Sequence, residues 1–384
     1  MSTEAITPFE VRITDEEIAG LRARLAATRW PDAETTGDWS QGIPLAYLRE
    51  VCDYWANHYD MRRVQRRLNA LPQFRTVIDG LGIHFLHLRS PHPQALPLLM
   101  THGWPGSVIE FLDTVGPLVD PVAHGGDAAD AFHVVCPALP GYGFSDKPRD
   151  AGWKVERIGR AWRELMRRLG YASYVAQGGD WGSMVTIALA QADAAHCRGI
   201  HLNMAIVAPD PETFAELTPT EQRSLADMAH YQDQESGYAK QQGTRPQTLG
   251  YGLADSPAGQ AAWIIEKFRA WTDCGEGQEA HPEKALTRDQ LLDNVMIYWL
   301  TNSAASSARL YWESIATPNL DPLDLPVGIS VFPREILRPS RRWAEKRFSH
   351  LVHWNELARG GHFAAFEQPA LFVQELRDCF RHLR

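Results

Sequence analysis

The chain has 384 residues, 44% of them hydrophobic and 22% charged, a balance that excludes a disordered or fibrous protein. Its length exceeds the roughly 250–300 residues that one core holds, so more than one structural unit is expected. Lys and Arg number 38 against 47 Asp and Glu, a formal charge of −9. With no long basic run, a nucleic-acid partner is not expected.

The start, MSTEAITPFEVRITDEE, is acidic and lacks the basic and apolar regions of a signal peptide. No apolar stretch approaches the ~20 residues of a membrane span. From Thr14-Asp15-Glu16-Glu17, a helix carries Ile18, Leu21 and Leu25 on one stripe until Trp30-Pro31 stops it. A second helix over about 44–59 places Leu48, Val51, Cys52, Trp55 and Tyr59 on one side. The period then changes, and 77–85 reads as a hairpin around Gly80 and Gly82.

Apolar runs next alternate with helical patterns. The strands are Leu98–Met100, Phe132–Val135, Tyr174–Ala176, Ile200–Asn203 and Val327–Phe332, with helices at about 155–169 and 182–193. Continuous apolar strands separated by helices predict a mostly parallel sheet covered on both faces. The rhythm stops near 205 and resumes near 326. Between them lie helical, aromatic-rich patterns, including 258–271 and 288–314. A helical insertion there predicts a cap over the carboxyl edge of the sheet, where ligands bind. The expected division is 1–90 as a helical extension with the hairpin, 91–205 and 323–384 as the α/β core, and 206–322 as the cap.

Five cysteines form no C-x-x-C pair. A reduced, cytoplasmic protein with buried thiols is expected. The 15 histidines include no helical H-x-x-x-H or H-E-x-x-H, and His84 and His87 point to opposite faces of a strand, so no metal site is expected.

The sharpest signal is Gly178-Gly179-Asp180-Trp181-Gly182, between a strand and a helix. It has the form of the G-x-S-x-G nucleophile elbow with Asp in the serine position. An N-cap aspartate beside a glycine turn is the plainer alternative. A carboxylate is already ionised at neutral pH and can displace a leaving group at an sp³ carbon, forming an alkyl ester. Base-activated water must then release that ester. His362, in Arg359-Gly360-Gly361-His362-Phe363, follows the apolar stretch Leu351–Trp354 and is the candidate base. Glu335, just after the strand Val327–Phe332, is the candidate partner acid, with Asp210 and Glu212 as weaker choices. Thr101-His102-Gly103-Trp104-Pro105-Gly106 completes the set. An oxyanion hole needs one amide after the nucleophile and one after an earlier strand, which are those of Trp181 and Trp104.

These features, together with Trp30-Pro31, Leu71-Pro72-Gln73-Phe74 and Pro140-Gly141-Tyr142-Gly143-Phe144-Ser145, resemble the α/β-hydrolase-fold epoxide hydrolases. The nearest branch is the microsomal type with an N-terminal helical extension, in a bacterial-like form. The resemblance covers nearly the whole chain. It implies an α/β fold with a helical cap, no cofactor, a small-molecule epoxide substrate, and Asp180, His362 and Glu335 as nucleophile, base and partner. It also implies that Tyr238 and Tyr311 hydrogen-bond the epoxide oxygen. The membrane anchor of the mammalian members has no counterpart here, so a soluble enzyme is expected. The aromatic cap residues Tyr251, Trp263, Trp271, Tyr298, Trp299 and Trp312 suit an apolar or aromatic epoxide. A homo-oligomer is compatible with the sequence.

Two other readings share these motifs. A haloalkane dehalogenase uses the same Asp elbow, with a halide held by N–H donors such as the Trp181 indole. A catalytically silent binding protein could keep the same fold. A serine esterase is disfavoured because the chain has no G-x-S-x-G.

Overall fold

The computed structural model describes residues 4–316 and 319–384. Residues 1–3, in the acidic start, and 317–318, in the expected cap, lie outside the described residues. The sheet comprises β1 (Thr7–Pro8), β2 (Gln73–Ile78), β3 (Leu81–Leu88), β4 (Leu96–Thr101), β5 (Phe132–Pro137), β6 (Tyr174–Gly178), β7 (Cys197–Leu202), β8 (Leu323–Val331) and β9 (Phe348–Glu356). Their spatial order is β1-β2-β3-β5-β4-β6-β7-β8-β9. The first three pair antiparallel and β3 meets β5 antiparallel, whereas β5, β4, β6, β7, β8 and β9 run parallel. The parallel strands therefore share one carboxyl edge. Loops leaving β4, β6, β8 and β9 carry Trp104, Asp180, Glu335 and His362 to that edge. The central strands are buried on both faces, which explains their unbroken apolar runs.

The extension contains α1 (Asp15–Ala26), α2 (Leu45–Asn57) and α3 (Arg63–Asn69). The Thr14–Glu17 capping box starts α1, and Ile18, Leu21 and Leu25 are its buried face. The helix ends at Ala26, before Trp30-Pro31. There the Thr28 hydroxyl donates to the Arg24 carbonyl at 3.3 Å, a local bond that competes with the helical ladder. Core helices are α4 (Leu112–Val119), α5 (Val155–Arg168) and α6 (Trp181–Ala192).

Between β7 and β8 lie α7 (Pro219–His230), α8 (Gly237–Thr244), α9 (Pro246–Asp255), α10 (Pro257–Trp271), α11 (Arg288–Leu300) and α12 (Ala304–Ser314). The single helical stretch expected at 288–314 is thus two helices. Asn302 takes a left-handed φ of 49° between them, a conformation that asparagine tolerates and that ends α11. The final core elements are α13 (Arg341–Arg347), α14 (Ala364–Glu367) and α15 (Pro369–Phe380). No helix among the described residues is long and apolar enough to cross a membrane. All five cysteines are free and buried.

Two sets of polar contacts fasten the helical segment to the rest. The Asp293 carboxylate of α11 is fully buried and accepts from the Tyr59 hydroxyl at 2.8 Å, Arg63 at 3.1 Å and Arg67 at 3.0 Å. This links the extension to α11. On the core side, the Asn294 amide donates to the Pro105 carbonyl and the Tyr298 hydroxyl to the Gly106 carbonyl, both at 2.7 Å. The Tyr142 hydroxyl donates to Ser307 O at 3.1 Å, and the Ser306 hydroxyl to Gly141 O at 2.5 Å. The Pro140–Ser145 motif is therefore the seat for α12, the helix that carries Tyr311.

Candidate active site

Asp180 stands between β6 and α6 with φ 51° and ψ −131°, and its side chain makes no capping bond to the helix. That rules out the plainer N-cap reading. A non-glycine residue here costs on the order of 1–3 kcal/mol, a strain that persists only where the surroundings impose it. They do so by close approach. A Cβ on Gly182 would run into the Thr101 carbonyl, and one on Gly103 into the Asp180 carboxylate. The glycines let the turn, β4 and the Asp180 side chain pack together.

The Trp104 amide donates to Asp180 Oδ1 at 2.7 Å. Asp180 Oδ2 lies 3.4 Å from His362 Nε2, and His362 Nδ1 meets Glu335 Oε1 at 2.5 Å. The three side chains form one line, Asp180 to His362 to Glu335. Asp210 and Glu212 do not join it, since both pair with Lys346. Burial opposes a charged imidazole, but Glu335 and Asp180 outweigh it and hold His362 well above the ordinary histidine range. The imidazole thus lies between the side chains of Asp180 and Glu335, both of which favour its charged form. The Trp181 amide opens α6 directly after Asp180.

Tyr238 and Tyr311 converge on the same point from α8 and α12. Both are buried, with ring centroids 5.7 Å apart. The Trp104 indole stacks on Tyr238 at 4.9 Å, and Trp181 packs edge-on against Tyr311 at 4.8 Å. The Tyr311 hydroxyl has no hydrogen-bond partner among the described residues, whereas that of Tyr238 is 3.0 Å from the Tyr231 hydroxyl. Burial raises both phenols well above their ordinary pKa, so they stay protonated as donors. Tyr231 starts a π-helical turn, Tyr231–Glu235, that leads into α8. Nothing in its spacing marked it.

The histidine loop is clamped from behind. The His362 amide donates to the Trp271 carbonyl at 2.9 Å, and the Trp271 ring lies 5.2 Å from the imidazole. Glu367 accepts from the Asp273 amide at 2.7 Å and the Phe363 amide at 3.1 Å, tying the end of α10 to this loop. Burial pushes the Glu367 carboxyl up to about 8. Of the aromatic residues expected to shape the pocket, Trp271 and Tyr298 are buried near the site. Tyr251 and Trp312 are 71% and 52% exposed, because they lie on the outer faces of α9 and α12.

One group among the described residues has donors close enough for a metal: His201, His353 and Glu375. Its members are bonded to one another and to neighbouring side chains, although His201 Nδ1 has no partner among the described residues. Glu375 accepts from Ser330 at 2.6 Å and Asn355 at 2.7 Å and meets His353 at 2.8 Å, while His201 reaches Ser330 at 2.8 Å. These bonds fasten α15 to the sheet.

A family model described as epoxide hydrolase N terminus matches residues 6–111, and one described as α/β hydrolase fold matches 97–248. A Stigmatella aurantiaca protein with a provisional epoxide hydrolase name is 58% identical over 381 residues, covering 99% of this chain and 86% of that protein. Epoxide hydrolase 1 of Sus scrofa is 36% identical over 400 residues, covering 97% and 88%. The crystal structure of juvenile hormone epoxide hydrolase from Bombyx mori superposes with a TM-score of 0.90 at 32% identity, covering 99% of this chain and 95% of that one.

The Glu367 clamp generates a pH test. A carboxyl raised to about 8 in the fold stabilises it fully below its unfolded value of 4.5 and loses that contribution as pH rises through about 8. Glu367→Gln cannot ionise. Its Tm relative to the parent should therefore climb between pH 5 and pH 8.5 in calorimetry. A difference independent of pH would contradict this.

Proposed function

The chain belongs to the epoxide hydrolase family, and from that premise we propose which residues carry out its conversion of an epoxide to a vicinal diol. Asp180 Oδ2 attacks an oxirane carbon while Tyr238 and Tyr311 donate to the oxygen. The C–O bond breaks, and the alkoxide takes a proton from a phenol. Asp180 becomes a neutral ester. One of the two carboxylates that held the proton on His362 is thereby lost, so the imidazolium gives up its proton, which returns to the phenolate left by the first step, and the imidazole is in its base form as water is needed. His362, oriented by Glu335, removes a proton from water, whose oxygen adds to the ester carbonyl carbon. The oxyanion forms at Oδ1, where the Trp104 amide already sits and the Trp181 amide is adjacent. Each such donor is worth about 10²–10³ in rate where measured.

What supports this reading above all is Asp180 at a left-handed φ, with one oxygen on the Trp104 amide and the other against His362. The segment 206–322, taken as a cap, supplies both tyrosines and covers the acid. The rings of Trp104, Trp181, Trp271, Tyr238 and Tyr311 suit an apolar or aromatic epoxide.

His362→Gln should still form the ester but not release it. Intact mass after mixing with styrene oxide should show a stoichiometric adduct at Asp180 that persists. Failure to form any adduct in a folded variant would count against the assignment. The double variant Tyr238→Phe with Tyr311→Phe should lose on the order of 10² or more in epoxide opening. A bromoalkane leaves as an anion without a proton. Strong bromide release by the parent, kept in this variant alongside retained epoxide opening, would favour the dehalogenase reading.

A further inference from the structure

A narrow cavity lies against Asp180 and His362 and is walled by Thr101, His102, Glu110, Gln177 and Asn203. Neither Tyr238 nor Tyr311 lines it, so it does not open on the side where the epoxide oxygen is held. It has room for about one or two water molecules and not for a substrate. Two of its wall groups, Gln177 Oε1 and Thr101 Oγ1, are buried and have no partner among the described residues. Gln177 cannot turn its oxygen away at no cost, because its amide nitrogen donates to Asn203 Oδ1 at 2.8 Å. Buried polar atoms of this kind are satisfied by ordered water.

Glu110 is the charged-type side chain of this cavity that the proposed mechanism leaves without a role. It is buried on the helical turn Val108–Phe111. Its carboxyl rests so closely on Gly106 that a Cβ there would overlap Oε1. Gly106 is itself held through its carbonyl by Tyr298, so the acid's position is fixed from the α11 side. We propose that the cavity is a water chamber for the second half-reaction, and that the Glu110 carboxyl orders the water that attacks the Asp180 ester. This rests on Asp180 and His362 acting as assigned above.

The charge state suits the task. Burial lifts Glu110 to about 8. Of the groups that face it, His362 and the Ser107 amide pull the pKa down while Asp180 and Glu367 push it up. His102, in the same wall, is kept neutral by burial. A neutral carboxylic acid both accepts from and donates to a water, and it does not compete with His362 for the proton. In the step itself the water oxygen bonds to the Asp180 carbonyl carbon and its proton passes to His362 Nε2. The tetrahedral intermediate then breaks the bond to the diol oxygen, which takes that proton from the imidazolium. The carboxylic acid left on Asp180 passes its proton to His362 Nε2, which restores the nucleophile, and Glu110 ends as it began.

Glu110→Met keeps the volume and removes both polar functions, while Glu110→Gln keeps a donor and an acceptor. Rapid-quench single turnover with styrene oxide, read by intact mass, separates ester formation from ester hydrolysis. In Glu110→Met, ester formation should stay within about threefold while hydrolysis falls about 30–100-fold, so that ester accumulates and kcat and KM fall together. Glu110→Gln should lose about three- to tenfold in hydrolysis, and Thr101→Val about fivefold. Thermal unfolding checks that each variant is folded. Unchanged hydrolysis in Glu110→Met, equal slowing of both half-reactions, or a loss in Glu110→Gln matching that in Glu110→Met would overturn the proposal. If the parent enzyme forms no ester at all, the Asp180 assignment fails instead.

Discussion

A carboxylate held at a backbone angle that it would not choose is the constraint on which the rest of this structure depends. Asp180 keeps φ 51° because β6 ends against β4, α6 begins at once, and the glycines between them let main chains approach to contact. The strain presents the side chain above the sheet edge instead of letting it cap its own helix. Only there can one oxygen reach the Trp104 amide and the other face His362. The helices between β7 and β8 and those before β2 serve this placement at a distance: Asn294 and Tyr298 fix the Trp104 loop, and Asp293 fixes α11 to α3 through Arg63 and Arg67.

Charge around His362 is the second organising feature. Glu335 and Asp180 touch it, while Glu110 and Glu367 stand farther back and are kept protonated by burial near neutral pH. Four ionised carboxylates in so small a volume would repel one another strongly. Keeping two neutral leaves His362 with only the two acids on either side of it. It also lets the outer pair act as hydrogen-bonding groups, Glu367 toward backbone amides and Glu110 toward the cavity.

The parts legible in the sequence are those whose signal is local. Strand ends followed by glycine-flanked loops marked Asp180, Trp104 and His362, and position just after a strand separated Glu335 from Asp210 and Glu212. The tyrosines were legible only through a family resemblance, because nothing in the spacing of Tyr238 or Tyr311 distinguishes them from core tyrosine. Glu110 was hidden, since Ser107-Val108-Ile109-Glu110 has the spacing of an ordinary helix start, and its meaning comes from long-range burial. Glu367 and Tyr231 were hidden for the same reason. The helix break at Asn302 was missed because the apolar pattern continues across it. The exposure of Tyr251 and Trp312 follows from which faces of α9 and α12 pack inward, which composition does not specify.

The most direct measurement of the central claim is a single turnover in water enriched in heavy oxygen, with enzyme in excess over epoxide. If Asp180 bonds to substrate carbon, the first diol carries an unlabelled oxygen from the enzyme, and peptide mapping finds the label in the Asp180 carboxylate. Label appearing wholly in the diol, with none in the protein, would mean that water attacks the epoxide directly and would contradict the account.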